Sequence, residues 1–167
     1  CPPFSVAGKQ LGMDDERDLF PEALRLVAEA RPKAVLLENV KGLATARFSD
    51  YRRSILEELS RLGYQADWQL LLSSEFGVPQ LRPRFILVAF RGQLLERFRW
   101  PGAVSNPATV GRTLASLMSA GGWPGTHAWA RRADGIAPTI VGGSKKHGGR
   151  RSGIGLPWAW DFTQAIA

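Results

Sequence analysis

Between Asp18 and Phe90 the chain alternates between helical and strand-like hydrophobic spacing, and this alternation limits its fold more than any other feature. DLFPEALRLVAEA (18–30) sets Leu19, Ala23, Leu26, Val27 and Ala30 on one helical face. Pro21 falls in the first turn, where its missing N–H costs little. Arg31-Pro32 closes that helix, and AVLLE (34–38) reads as a short buried strand. A second helix, capped by Ser49 or Asp50, gathers Ile55, Leu56, Leu59 and Leu62 on one face and stops at Gly63. Two strand-like runs follow, ADWQLLLS (66–73) and RFILVAF (84–90), separated by the Gly- and Pro-broken loop EFGVPQLRP. Helix, strand, helix, strand is the rhythm of an α/β sheet. No helix joins the last two runs, so they are expected to pair antiparallel.

After Arg91 the pattern fades into Gly- and Pro-rich sequence, and only TLASLM (113–118) reads as helical. The expected organisation is a sheet-based part over residues 1–91 and a loop-rich part over 92–167. Charge divides in a similar place. Residues 1–90 hold 12 Lys/Arg against 12 Asp/Glu, whereas 91–167 hold 10 against 3 and carry the whole net charge of +7. A neutral scaffold joined to a segment that meets a polyanion fits this division; ordinary solvated surface charge is the alternative. One cysteine, Cys1, and two histidines make a structural metal site unexpected. No run approaches the roughly 18 apolar residues of a membrane span, and no signal-peptide pattern occurs. A cytosolic or nucleoid location, with no membrane or metal partner, is the expectation.

Three short stretches carry chemistry. In Cys1-Pro2-Pro3-Phe4-Ser5 a thiol is followed by two prolines that restrict the backbone, and Ser5 offers a hydroxyl or N–H to an anion. Taken alone, the stretch also reads as an ordinary loop. In LLENVKGL (36–43), Glu38 ends a strand, where α/β sheets place ligand-facing residues. A partly desolvated carboxyl there tends to stay protonated; a turn cap is the alternative. In Gln80-Leu81-Arg82-Pro83-Arg84 the two arginines are expected on opposite faces. One reaches a pocket and the other grips a phosphate or braces a loop. The alternative is a charged strand edge.

In order and spacing the three together resemble the C5-cytosine DNA methyltransferases. That family has a Pro-Cys-x-x-Phe-Ser nucleophile motif, then Glu-Asn-Val, then Gln-x-Arg-x-Arg. RDLF (17–20) and, more loosely, RRADGIAPTIVGGSKKHGG (131–149) resemble further parts of it. The resemblance implies part of a Rossmann-like, S-adenosylmethionine-dependent methyltransferase sheet with a terminal antiparallel strand pair. Part of a loop-rich target-recognition region follows. It implies Cys1 as the nucleophile that adds to cytosine C6, Glu38 as the acid at N3 and the exocyclic amine, and Arg84 at O2. Arg82 braces the loop or a phosphate, and Asn39 holds the active-site loop. Base flipping is required, because the target atoms are inaccessible in a stacked duplex. VAGKQLG (6–12) resembles the loop that closes on DNA, with Gly8 and Gly12 as hinges. Ser5, Lys9, Gln10, Arg131, Arg132, Lys145 and Lys146 are the expected contacts to double-stranded DNA.

S-adenosylmethionine is the implied donor, yet the family's glycine-containing donor loop, acidic ribose ligand and closing Gln-x-x-Gly-Asn motif have no counterpart here. The expectation is an internal piece of a methyltransferase, inactive alone and able to pair with a second copy along exposed sheet edges. Rival readings are a non-catalytic DNA-binding remnant, a tRNA cytosine-5 methyltransferase, and an amidohydrolase using Cys1 as an N-terminal nucleophile.

Overall fold

A computed structural model describes residues 2–5 and 9–139. These fall into two compact units, one drawn from 1–72 and 83–102, the other from 73–82 and 103–167. Residues 73–82, placed by sequence in the sheet-based part, therefore belong with the second unit.

The first unit is a three-stranded antiparallel sheet with two helices on one face. Its helices are α1 (Phe20–Ala30) and α2 (Ser49–Arg61). Its strands are β1 (Ala34–Val40), β2 (Tyr64–Leu72) and β4 (Pro83–Arg91), in the order β1-β4-β2. The expected antiparallel pairing of the last two long strands is present, with Trp68 opposite Leu87. β1 lies on the other side of β4, also antiparallel, with Leu37 opposite Leu87.

Alternation along these strands sorts the side chains between two faces. Leu37, Tyr64, Trp68, Phe85, Leu87 and Ala89 turn toward the core, where Leu87 and Ala89 are fully buried. β1 departs from the buried strand expected for 34–38. Its inner residues are partly covered, while Leu36 on the opposite face is 67% exposed. Only β4 flanks β1 among the described residues, and the helices cover one face alone.

α1 also corrects its expected face. Phe20 and Val27 are buried and Leu24 packs against the core, whereas Leu19 and Leu26 are exposed. Leu19 is the N-cap residue rather than part of the helix, and the Phe20 ring takes the core position against Phe4 and Trp68. Asp18 Oδ1 accepts the Phe20 N–H at 3.1 Å. In α2 the expected stripe holds: Ile55 and Leu59 are buried, with Leu56 and Leu62 beside them. Neither Ser49 nor Asp50 caps that helix. Both lie inside its first turn, and Phe48 occupies the cap position.

The second unit contains β3 (Gln80–Leu81), α3 (Val110–Ser119), α4 (Thr126–Arg132) and β5 (Ala137–Pro138). β3 and β5 pair in parallel, and α3 packs on α4. Thr109 caps α3 by accepting the Arg112 N–H at 3.4 Å. The sequence indicated α3 but gave no sign of α4. A helix of seven residues is too short for a helical period to stand out.

Leu87→Ala should lower stability by about 2–5 kcal/mol in urea denaturation, because the cavity opens at the centre of the sheet. Leu26→Ala, on an exposed position, should change it by less than about 0.5 kcal/mol.

Candidate active site

The β1–β4 register brings two of the expected site residues together. Val40 lies opposite Arg84 and Glu38 opposite Ile86, so Glu38 and Arg84 are diagonal neighbours on one face. Their side chains form an ion pair between Arg84 Nε and Glu38 Oε1 that lacks the alignment of a hydrogen bond. Arg84 Nη1 donates to its neighbour's carbonyl, Pro83 O, at 2.9 Å. The Arg84 side chain is 22% exposed, but that of Glu38 is 51% exposed. The desolvated carboxyl expected at Glu38 is thus replaced by an open, paired one. Asn39 turns to the opposite face of the strand, is buried, and accepts the Val40 N–H on Oδ1 at 2.8 Å.

The 3-10 turn Lys41–Ala44 that follows β1 meets the start of the chain. Phe4 is fully buried, with Phe20, Phe48 and Tyr51 rings at centroid distances of 5.9, 5.2 and 5.6 Å. Its carbonyl oxygen rests on Gly42, where a Cβ would fall 1.8 Å away. No side chain fits there. The segment that follows Cys1 is thereby fastened to the turn that follows Glu38. Gly42 stood in the quoted LLENVKGL stretch, but a steric need of this kind leaves no mark in sequence pattern. Cys1 itself lies outside the described residues.

The remaining candidates separate into placed and unplaced. Ser5 ends the Pro2–Phe4 turn, donating its N–H to Pro2 O at 3.4 Å. Lys9 is exposed, and Gln10 holds a positive φ of 52°. Gly12 is no open hinge: it is buried, and a Cβ on it would fall 2.8 Å from the Phe48 ring. Gly8, Lys145 and Lys146 lie outside the described residues. Arg131 and Arg132 are exposed in the last turn of α4.

Arg82 does not share a strand with Arg84. Residues two apart in an unbroken strand share a face, so opposite faces never followed from the spacing of Arg82 and Arg84. The chain breaks between β3 and β4 at Arg82, which belongs to the second unit. Its carbonyl accepts both the N–H and the hydroxyl of Ser73 at 3.2 Å.

Beside Pro2 and Lys9 an open cleft of about 610 Å3 is bordered by Asp15 and Arg17. Arg17 Nε and Nη2 each donate to the Asp15 carboxylate at 2.7 Å, and the Asp15 side chain is 3% exposed. The Arg17 side-chain hydrogen bond pulls the Asp15 carboxyl down to about 2. Nearby, burial and then the Asp18 hydrogen bond push the Tyr51 hydroxyl up. In the second unit, hydrogen bonds from Thr109 Oγ1 and then Arg112 hold Asp134 below its usual range. Among the described residues no group of three or more His, Cys, Asp or Glu could hold a metal, and no helix is long and apolar enough to cross a membrane.

The family described as C-5 cytosine-specific DNA methylase matches residues 1–130. The chain belongs to this family. Type II methyltransferase M.NaeI of Lentzea aerocolonigenes is 56% identical to it over 149 residues, 89% of this chain and 36% of that protein. Type II methyltransferase M.NgoMIV of Neisseria gonorrhoeae is 53% identical over 142 residues, 84% of this chain and 46% of that protein. The chain thus spans less than half the length of either relative. The Entamoeba histolytica methyltransferase EhMeth shares the fold, with a TM-score of 0.50 at 15% identity over 73% of this chain and 42% of that one.

The Asp15–Arg17 pair makes stability depend on pH at the acid end. The folded carboxyl titrates near 2 against an ordinary 3.8, so its stabilisation is complete above about pH 4 and lost as the pH falls through about 2. Asp15→Asn should remove that part of the stability–pH curve, followed by circular dichroism between pH 5 and 1.5.

Proposed function

We propose that this chain serves a DNA (cytosine-5)-methyltransferase, which moves a methyl group from S-adenosylmethionine to C5 of a cytosine flipped out of double-stranded DNA. The observation that carries the reading is the Glu38–Arg84 pair, one short turn from the segment that follows Cys1, in a chain of this family.

In the proposed reaction the Cys1 thiolate adds to C6 of the ring. The C5–C6 π electrons then move toward C5 and the N3–O2 side, where Glu38, carrying a proton taken from solvent as it leaves Arg84, donates to N3 and Arg84 donates to O2, so that both stabilise the gathering charge. C5 takes the methyl group, its proton leaves to solvent, and the C6–S bond breaks to return the thiolate. A carboxyl and a guanidinium that pair with each other in the free protein suit this task, since both groups exchange that partner for the polar edge of the base. Such an exchange lets the charged groups stay paired when the pocket is empty. Asn39 holds the backbone at the end of β1, and Arg82 braces the loop before β4 or contacts a phosphate. S-adenosylmethionine supplies an electrophilic methyl group when bound.

DNA is held through its phosphates in this proposal. Ser5, Lys9 and Gln10 contribute from the first unit, and Arg131 and Arg132 from the second, with Lys145 and Lys146 further along the sequence. The +7 net charge supports a polyanionic partner.

Trapping tests the reaction. With S-adenosylmethionine and a duplex containing 5-fluorocytosine, fluorine replaces the proton that must leave, so a denaturation-resistant adduct to Cys1 should persist. Cys1→Ser should abolish the adduct, and Glu38→Gln should slow its formation by about 100-fold or more. A full-length enzyme carrying this chain that forms no adduct, or an adduct that survives Cys1→Ser, overturns the assignment.

A further inference from the structure

Arg52 does not belong to any of the three motif stretches, yet it engages the turn that joins two of them. It is the fourth residue of α2. Its Nη1 donates to Leu43 O at 2.6 Å and to Thr45 O at 2.7 Å. Its Cζ lies 5.8 Å from the centroid of the Phe85 ring on β4, and that ring is stacked on Trp68 at 4.8 Å. One guanidinium thus rests on the sheet and grips two carbonyls of the turn after β1.

The same turn has little freedom elsewhere. Thr45 donates its hydroxyl to Gly42 O at 2.9 Å, so the carbonyls of residues 42, 43 and 45 are all engaged. Gly42 is pressed by the Phe4 carbonyl, and Leu43 is fully buried. Those carbonyls sit at the C-terminal end of a short 3-10 turn, where a cation is electrostatically favoured. A guanidinium combines this charge with a flat face for the aromatic ring, which an ammonium lacks.

We infer that Arg52 is a positioning residue: by gripping the Leu43 and Thr45 carbonyls it sets where the Pro2–Phe4 segment lies relative to Glu38 at the end of β1. The inference rests on the proposed reaction for its functional meaning, since that reaction needs Cys1 and Glu38 on the same base. It does not use DNA or the methyl donor for its test.

Cys1 is the only cysteine, so a nitroxide spin label attaches there without further substitution. Arg52→Met should make the label markedly more mobile in its EPR line shape and speed amide exchange at residues 42–45 by about 10-fold, with little change at Leu87–Ala89. Arg52→Lys, which retains the charge but not the planar face, should give an intermediate line shape. Leu56→Ala, also on α2, serves as the control. It should lower stability by thermal melting while leaving the label at Cys1 unchanged. An unchanged line shape in Arg52→Met, or an equal change in Leu56→Ala, overturns the inference. A missing fluorocytosine adduct with these line shapes as expected counts against the reaction alone.

Discussion

The contact between the Phe4 carbonyl and Gly42 holds the candidate site together. Phe4 is anchored by three aromatic rings from α1, the turn before α2, and α2 itself. Burying a phenylalanine so completely fixes its backbone, and its carbonyl then occupies the space where any other residue at position 42 would carry a Cβ. Two stretches nearly forty residues apart in sequence thus become one structural element. The hydrophobic core supplies the holding force, and the absence of a side chain permits the close approach.

The sheet makes a second, independent contribution. Antiparallel register places Glu38 and Arg84 diagonally on one face of β1 and β4, while strand alternation sends Asn39 to the other. The pair is neither deeply buried nor fully solvated. Its partners are charged and opposite, which stabilises the arrangement modestly and leaves both groups able to accept a new partner. In the proposed reaction this ready exchange matters more than any strength of the pair itself.

Much of the fold was legible because it depends on local periodicity. The stripe of Ile55, Leu56, Leu59 and Leu62 and the two long strands follow from spacing and appear close to where they were expected. The failures share a cause. Leu19 and Leu26 fit a helical face, but the larger Phe20 ring claimed the core, a choice made by its aromatic neighbours rather than by spacing. AVLLE is apolar enough for burial on both sides, yet cover reaches only one face among the described residues. α4 is too short to show a period, and Arg82 sits at a break between strands that the proline and glycine signals placed only approximately.

By itself the sequence determined the identity and order of the chemical groups: a lone thiol, a carboxyl after an apolar run, two arginines before another. It also determined the strands and helices that carry them, because hydrophobic period is a local property. Only the tertiary structure decided that Glu38 faces Arg84, that Gly42 receives the Phe4 carbonyl, and that Arg52 grips the turn between them. Those outcomes depend on strand register and on atoms meeting across the core. No spacing within one segment encodes either.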